Sequence, residues 1–187
     1  MKKLFLLFAL IACVNVNAQD IQLTETGAYE KKEVVVVDSA KAIVLYERAM
    51  IALSDWTGPD GKAKAGIDYQ EKETGTVIYK GRYSLGFKNT FLGDGWNRYA
   101  EFSLKVRCKD GRAQVTVTVP TVTAIYNRNG MTRTNSVKVL LDAVKQSKGA
   151  KRERGENLIA DITETADGLV VAMCERLKNG GANDDDF

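Results

Sequence analysis

The sequence predicts an α+β fold, one antiparallel sheet with helices packed on one face. Three observations point there. A valine-rich strand over Lys32 to Asp38 runs directly into a segment of helical spacing. Several strand-like runs follow between residues 67 and 126, two of them joined by Asp110-Gly111. Helical patterns then close the chain before Gly180. One helix crossing after the first strand, with a meander behind it, gives a layered domain. The alternation of apolar and polar residues leaves one sheet face on the helices and the other open to solvent.

Residues 19–31 are polar and irregular and read as a flexible mature N-terminus. Val34 to Val37 are consecutive β-branched residues, which predict a strand that is apolar on both faces and therefore central or well covered. Asp38 or Ser39 stands where a cap is needed for the following helix. That helix has Ala42, Tyr46, Ala49, Met50, Leu53 and Trp56 on one stripe and stops at Thr57-Gly58-Pro59-Asp60-Gly61. Ile67 to Glu71 is a short strand. Thr76 to Leu85 alternates, with Val77, Tyr79 and Tyr83 against Ile78, Lys80 and Arg82. Gly86 to Gly95 reads as a loop. Arg98 to Lys109 alternates cleanly, Phe102, Leu104, Val106 and Cys108 against Ser103, Lys105, Arg107 and Lys109.

Asp110-Gly111 predicts a tight hairpin, because glycine readily takes the positive φ of a primed turn. Arg112 to Val119 is the returning strand. Pro120 has no amide hydrogen to give a ladder, so a bulge or an edge is expected there. After the Asn127 to Gly130 turn, residues 127–180 read as a helical region. Val137, Leu140, Leu141 and Val144 mark one stripe. Leu158, Ile162, Ala166, Leu169, Val170, Met173 and Leu177 mark another. Between them lies a basic, glycine-interrupted linker at 145–154, and the acidic residues 181–187 are expected to be a disordered tail.

The opening residues carry an address. Lys2 and Lys3 precede an apolar run from Leu4 to Ala12, and Val16 and Ala18 sit before Gln19. Residues 1–18 are therefore read as a secretory signal peptide, too short in its apolar run to span a bilayer. Leu10-Ile11-Ala12-Cys13 also fits a lipid-attachment signal, which would tether the chain through Cys13. The protein is expected to be exported, periplasmic or secreted, with the lipoprotein as the alternative.

Composition excludes several chemistries. The chain has no histidine, which removes Ser-His-Asp and Cys-His catalysis and the commonest metal ligand. Lys and Arg number 27 against 24 Asp and Glu, and Lys2 and Lys3 leave with the signal, so the mature chain is close to neutral. No nucleic-acid partner is indicated. Cys108 and Cys174 both continue apolar patterns. An exported address permits a disulfide between them, and small buried core residues are the other reading.

Val34 to Tyr126 resembles an exported bacterial domain-of-unknown-function family with a TATA-binding-protein-like fold. The likeness rests on the valine strand leading through Asp38-Ser39 into Leu45-Tyr46-Glu47-Arg48-Ala49 and Trp56. It rests also on Asp68-Tyr69-Gln70-Glu71-Lys72-Glu73-Thr74-Gly75-Thr76-Val77-Ile78, and on the paired strands Arg98 to Lys109 and Arg112 to Val119. The resemblance implies a curved sheet backed by helices over residues 32–126. It implies no activity, no cofactor and no catalytic residues.

Three constellations remain. Lys80, Arg82, Lys105, Arg107 and Lys109 share the expected open face, either as a phosphate platform or, the favoured reading, as charges that keep a half-exposed sheet soluble. Phe87, Phe91, Trp96 and Tyr99 cluster around glycines and form the candidate ligand-contact loop, unless they fold back to cap the sandwich. Glu71, Glu73 and Asp94 are the carboxylates a hydrolase without histidine would have to use. The expected function is a non-catalytic exported domain that binds an envelope protein, peptide or glycan. A carboxylate-only hydrolase and a structural subunit of an envelope assembly are the alternatives.

Overall fold

The structure, a computed structural model, describes residue 21 and residues 23–54, 66–89 and 94–180. The signal segment, Trp56 at the end of the first helical stripe, Phe91 and the acidic tail lie outside the described residues. The elements are β1 (Tyr29–Val36), α1 (Ala42–Ser54), β2 (Gly66–Glu71), β3 (Thr76–Asn89), β4 (Gly95–Lys109), β5 (Arg112–Tyr126), β6 (Thr132–Ser136), α2 (Val137–Lys145) and α3 (Gly149–Asn179). All strand pairs are antiparallel. The sheet order is β1-β5-β4-β3-β2, with β6 following β1 along the same flank of β5.

One sheet face meets the helices. Val77, Tyr79 and Tyr83 of β3 are buried there, with Phe102, Leu104, Val106 and Cys108 of β4 and Val115, Val117 and Val119 of β5. Leu45, Leu53, Ile162, Met173 and Leu177 cover them from α1 and α3. Burying each such aliphatic side chain contributes about 2 kcal/mol relative to leaving it in water. The Tyr83 hydroxyl donates to the Ile162 carbonyl at 2.9 Å, and the Tyr29 hydroxyl to Asp167 Oδ1 at 2.7 Å, tying α3 to two strands. Arg48 of α1 donates to the Leu177 carbonyl at 3.0 Å, and Arg176 of α3 to the Ala52 carbonyl at 3.3 Å. Each helix therefore places a cation on the other's negative end.

Several expectations change. β1 is an edge strand, not a central one; Val35 is buried, but Val34 and Val36 are 52% and 62% exposed. It also begins at Tyr29, inside the stretch read as flexible. The side chain that reaches the first amide of α1 is Asp110, at 2.8 Å, rather than Asp38 or Ser39. β3 runs on to Asn89, so much of the expected Gly86 to Gly95 loop is strand. β6 lies in the region read as helical; Thr132-Arg133-Thr134-Asn135-Ser136 shows no apolar alternation and is a strand because β5 supplies its partner. The basic stretch at 149–154 is the first part of α3.

Two signals were legible. Asp110-Gly111 is a tight turn with Gly111 at φ 75°, but Asp110 does not take a positive φ, so the turn is not of the expected primed type. Pro120 sits where β1 has ended and β6 not yet begun, opposite a register shift of β4 between Glu101 and Ser103. Cys108 and Cys174 are both buried and free, so the permitted disulfide is not formed. Burial pushes the Cys108 thiol up to about 11.

Candidate functional site

The face of the sheet away from the helices carries the charged residues, and hydrogen-bonded register decides which of them meet. At the β4–β5 hairpin, Lys109 stands opposite Arg112 and Arg107 opposite Gln114. Across β5, β1 places Val34 opposite Gln114 and Val36 opposite Arg112. Cross-strand partners share a face, so these side chains converge from three strands. Val34, Arg107, Lys109, Arg112, Ala113 and Gln114 line a cavity of about 310 Å³.

The cavity is cationic without internal compensation. Among the described residues no carboxylate forms an ion pair with Arg107, Lys109 or Arg112. Asp110 is the nearest acid in sequence, but its carboxylate accepts from the Ala42 amide and lies 3.6 Å from Lys41 Nζ. That amide bond, then the Lys41 charge, hold its carboxyl below the ordinary aspartate value. Elsewhere on the same face three cations are engaged, whereas Lys105, in register with Ile78 and Thr116, forms no ion pair among the described residues. Lys80 is 2.9 Å from Asp68, Lys32 is 3.2 Å from Glu30, and Arg82 lies 4.7 Å over the Tyr99 ring and in register with Glu101.

Of the expected aromatic contacts, Phe87, Trp96 and Tyr99 lie on paired strands and are divided between the two sheet faces. Trp96 is in register with Lys88 and Tyr126, Tyr99 with Ser84 and Thr123, and Phe87 with Asn97. Alternation along β4 therefore puts Trp96 on one face and Phe87 and Tyr99 on the other. Trp96 packs on Tyr126 at 5.1 Å, with the Arg133 guanidinium 5.0 Å over its ring. The Phe87 ring lies against Gly95. Phe91 lies outside the described residues. The carboxylates are also apart. Glu71 accepts from Tyr69 and Thr74 in the β2–β3 turn, whereas Asp94 accepts from the Tyr126 hydroxyl beyond the other end of β3. Glu73 lies near Glu71 at that turn and lines a wider depression beside α1 with Lys41, Lys72, Lys109 and Asp110.

Sequence reasoning placed Arg107 and Lys109 on the open face but passed over Arg112, Gln114 and Val34 as their neighbours. The hairpin dipeptide already fixed the Lys109–Arg112 pairing. The pairing of β1 with β5, which adds the valine wall, had no local signal.

Residues 32–123 match a family described as a domain of unknown function (DUF4468) with TBP-like fold. Among solved structures the chain is similar to a TBP-like protein from Parabacteroides distasonis, with a TM-score of 0.62 at 11% identity, over 85% of this chain and 97% of that one. It is similar also to a DUF4468 family protein from Bacteroides ovatus, with a TM-score of 0.59 at 15% identity, over 91% of this chain and 94% of that one. At such identities the likeness is one of fold. No curated protein matches the sequence.

Proposed function

Residues 32–123 match the model of the DUF4468 family with its TBP-like fold, and from that likeness we propose an exported, non-catalytic binding domain whose open sheet face receives a component of the cell envelope. The observation that carries the reading is the one-sided layering. β3, β4 and β5 are 14 or 15 residues long, with helices on one face and half-exposed polar side chains on the other. A fold alone assigns no ligand, so the reading rests on this face and on the address.

Export is supported by the Lys2-Lys3 start, the Leu4 to Ala12 run and the Val16-Asn17-Ala18 site before Gln19. Among the described residues no helix is long and apolar enough to cross a membrane. The non-catalytic reading is supported by a chain without histidine and by thiols that are buried and raised in pKa by that burial. The separation of Asp94 from Glu71 and Glu73 by the length of β3 supports it as well.

The test is site-specific photo-crosslinking in cells. A crosslinker at Ile78 or Thr116 on the open face should capture an envelope component. One at Val171, on the outer side of α3 and 53% exposed, should not. Equal capture from both faces removes the proposal. The intact mass of the mature chain is expected to start at Gln19, and an acylated Cys13 would replace release by tethering.

A further inference from the structure

We propose that the cavity between Arg107, Lys109 and Arg112 binds a phosphate monoester, with Val34 taking an apolar part of the same ligand. The inference rests on the open face as the binding surface and names what that face takes.

Three cations converge where the fold does not need them. Lys109 and Arg112 are direct cross-strand partners, and like charges set opposite each other oppose pairing. A tight hairpin is as well served by a neutral or an oppositely charged pair. Three other cations on this face show what local compensation looks like: Lys80 has Asp68, Lys32 has Glu30, and Arg82 has the Tyr99 ring, while Lys105 stands between Ile78 and Thr116. At the hairpin the only acid in the turn, Asp110, is committed to α1. Among the described residues the positive potential is therefore left unmatched.

The chemistry of a matching ligand follows from the groups. Two guanidinium forks favour a planar or tetrahedral oxyanion that can accept in pairs. Three positive charges favour a dianion over a monoanion, and a phosphate monoester carries about −1.5 to −2 at neutral pH. A cavity of about 310 Å³ is larger than a bare phosphate needs, and it is at the small end of the range for organic ligands. Val34, 52% exposed beside the cations, and Gln114 give the rest of the ligand one apolar and one polar contact. A phosphorylated sugar or alkyl group has this mixed character, whether free or carried on a lipid.

Phenyl phosphate is the soluble probe, followed by amide chemical shifts of the full mature chain. Saturable shifts are expected at Val34 and from Arg107 to Gln114. The Arg107→Ala, Arg112→Ala double variant should weaken binding by about tenfold or more. Val34→Asp, which adds a carboxylate to the wall without touching an arginine, should do the same. Lys80→Ala, on the same face with its charge already matched, should leave binding unchanged. Both loss variants alter exposed side chains, so native shift dispersion separates lost binding from lost folding.

Vesicles of phosphatidylcholine with and without phosphatidic acid supply the lipid-borne monoester. Binding of phenyl phosphate with or without the vesicles supports the site and assigns the source as lipid or free ligand. Vesicle binding without phenyl phosphate binding would show general adsorption of a basic surface and overturn the pocket. So would equal affinity for an oligothymidylate, whose phosphodiesters are monoanions. Loss of the pocket in these experiments leaves crosslinking from Ile78 intact, so the two readings fail separately.

Discussion

The two ends of the β4–β5 ladder use the same residue types to opposite effect. At one end Trp96, Tyr126, Arg133, Asp94 and Arg128 satisfy one another. The Tyr126 hydroxyl donates to Asp94 at 3.0 Å, Arg128 reaches the same carboxylate at 3.5 Å, and Arg133 covers the Trp96 ring. The hydrogen bond to Asp94 raises the Tyr126 phenol above its ordinary value, the mark of a proton held in place. At the other end Arg107, Lys109 and Arg112 gather around a cavity whose lining includes no carboxylate. Aromatics and arginines together look like a binding site in a sequence, but at the first end they close the structure. The plainer basic residues of the hairpin are the ones left facing outward. Whether a polar group is already partnered distinguishes the two ends, and composition does not.

That difference can be tested by loading each end in turn. The largest effect is expected from Gly95→Ala at the closed end. A Cβ there would fall 2.5 Å from the Lys88 carbonyl oxygen and into the Phe87 ring. Urea unfolding should show a loss of about 3 kcal/mol, since backbone cannot yield as a flexible side chain does. Gly111→Ala at the open end meets nothing within 4 Å and suffers only from its φ of 75°, for a loss of about 1 kcal/mol. Equal losses at the two glycines would mean that the ends are equally packed.

Asp110→Ala should lower Tm by less, and its effect should depend on pH. The Asp110 carboxyl is held below its ordinary value by the Ala42 amide and then by Lys41. Its stabilisation is therefore present above the unfolded value near about 4 and lost as pH falls through the lower folded value. The gap in Tm between wild type and variant should close on acidification below that range; a gap independent of pH would detach Asp110 from α1. The smallest change is expected from Arg112→Thr. Removing a like-charge opposition should stabilise the unliganded fold by about 0.3 kcal/mol while phenyl phosphate binding falls. A variant that loses stability instead would place Arg112 among the structural contacts of the hairpin.

How much of this was legible in the sequence varies by element. Strands with clean alternation, Arg98 to Lys109 and Arg112 to Val119, identified their own buried faces, because period-two patterning needs no knowledge of the partner. The helical stripe of α3 was legible from its own period, and that of α1 in part: Tyr46, Ala49 and Leu53 are buried, but Leu45 and Ala52 are buried with them. β6 was not, because a strand polar on both faces exists only through the partner that pairs with it. The valine run of β1 misled for a related reason. Four branched apolar residues measure strand preference, while the position of a strand in the sheet depends on chain path. The aromatic cluster gave no face of its own, because each step along a strand reverses the face, and Trp96 and Tyr99 fall on opposite ones.

The sequence by itself determined the α+β class, the Asp110-Gly111 hairpin, the break at Pro120 and the inward side of each alternating strand. These follow from local dihedral preference and from which residues leave water. Tertiary structure alone decided that β1 is an edge, that Asp110 serves α1 across the molecule, and that Val34 stands beside Arg107 and Arg112. Those depend on contacts between residues far apart in the chain. No local rule fixes such contacts, and the cavity at the hairpin exists only because three strands arrive there together.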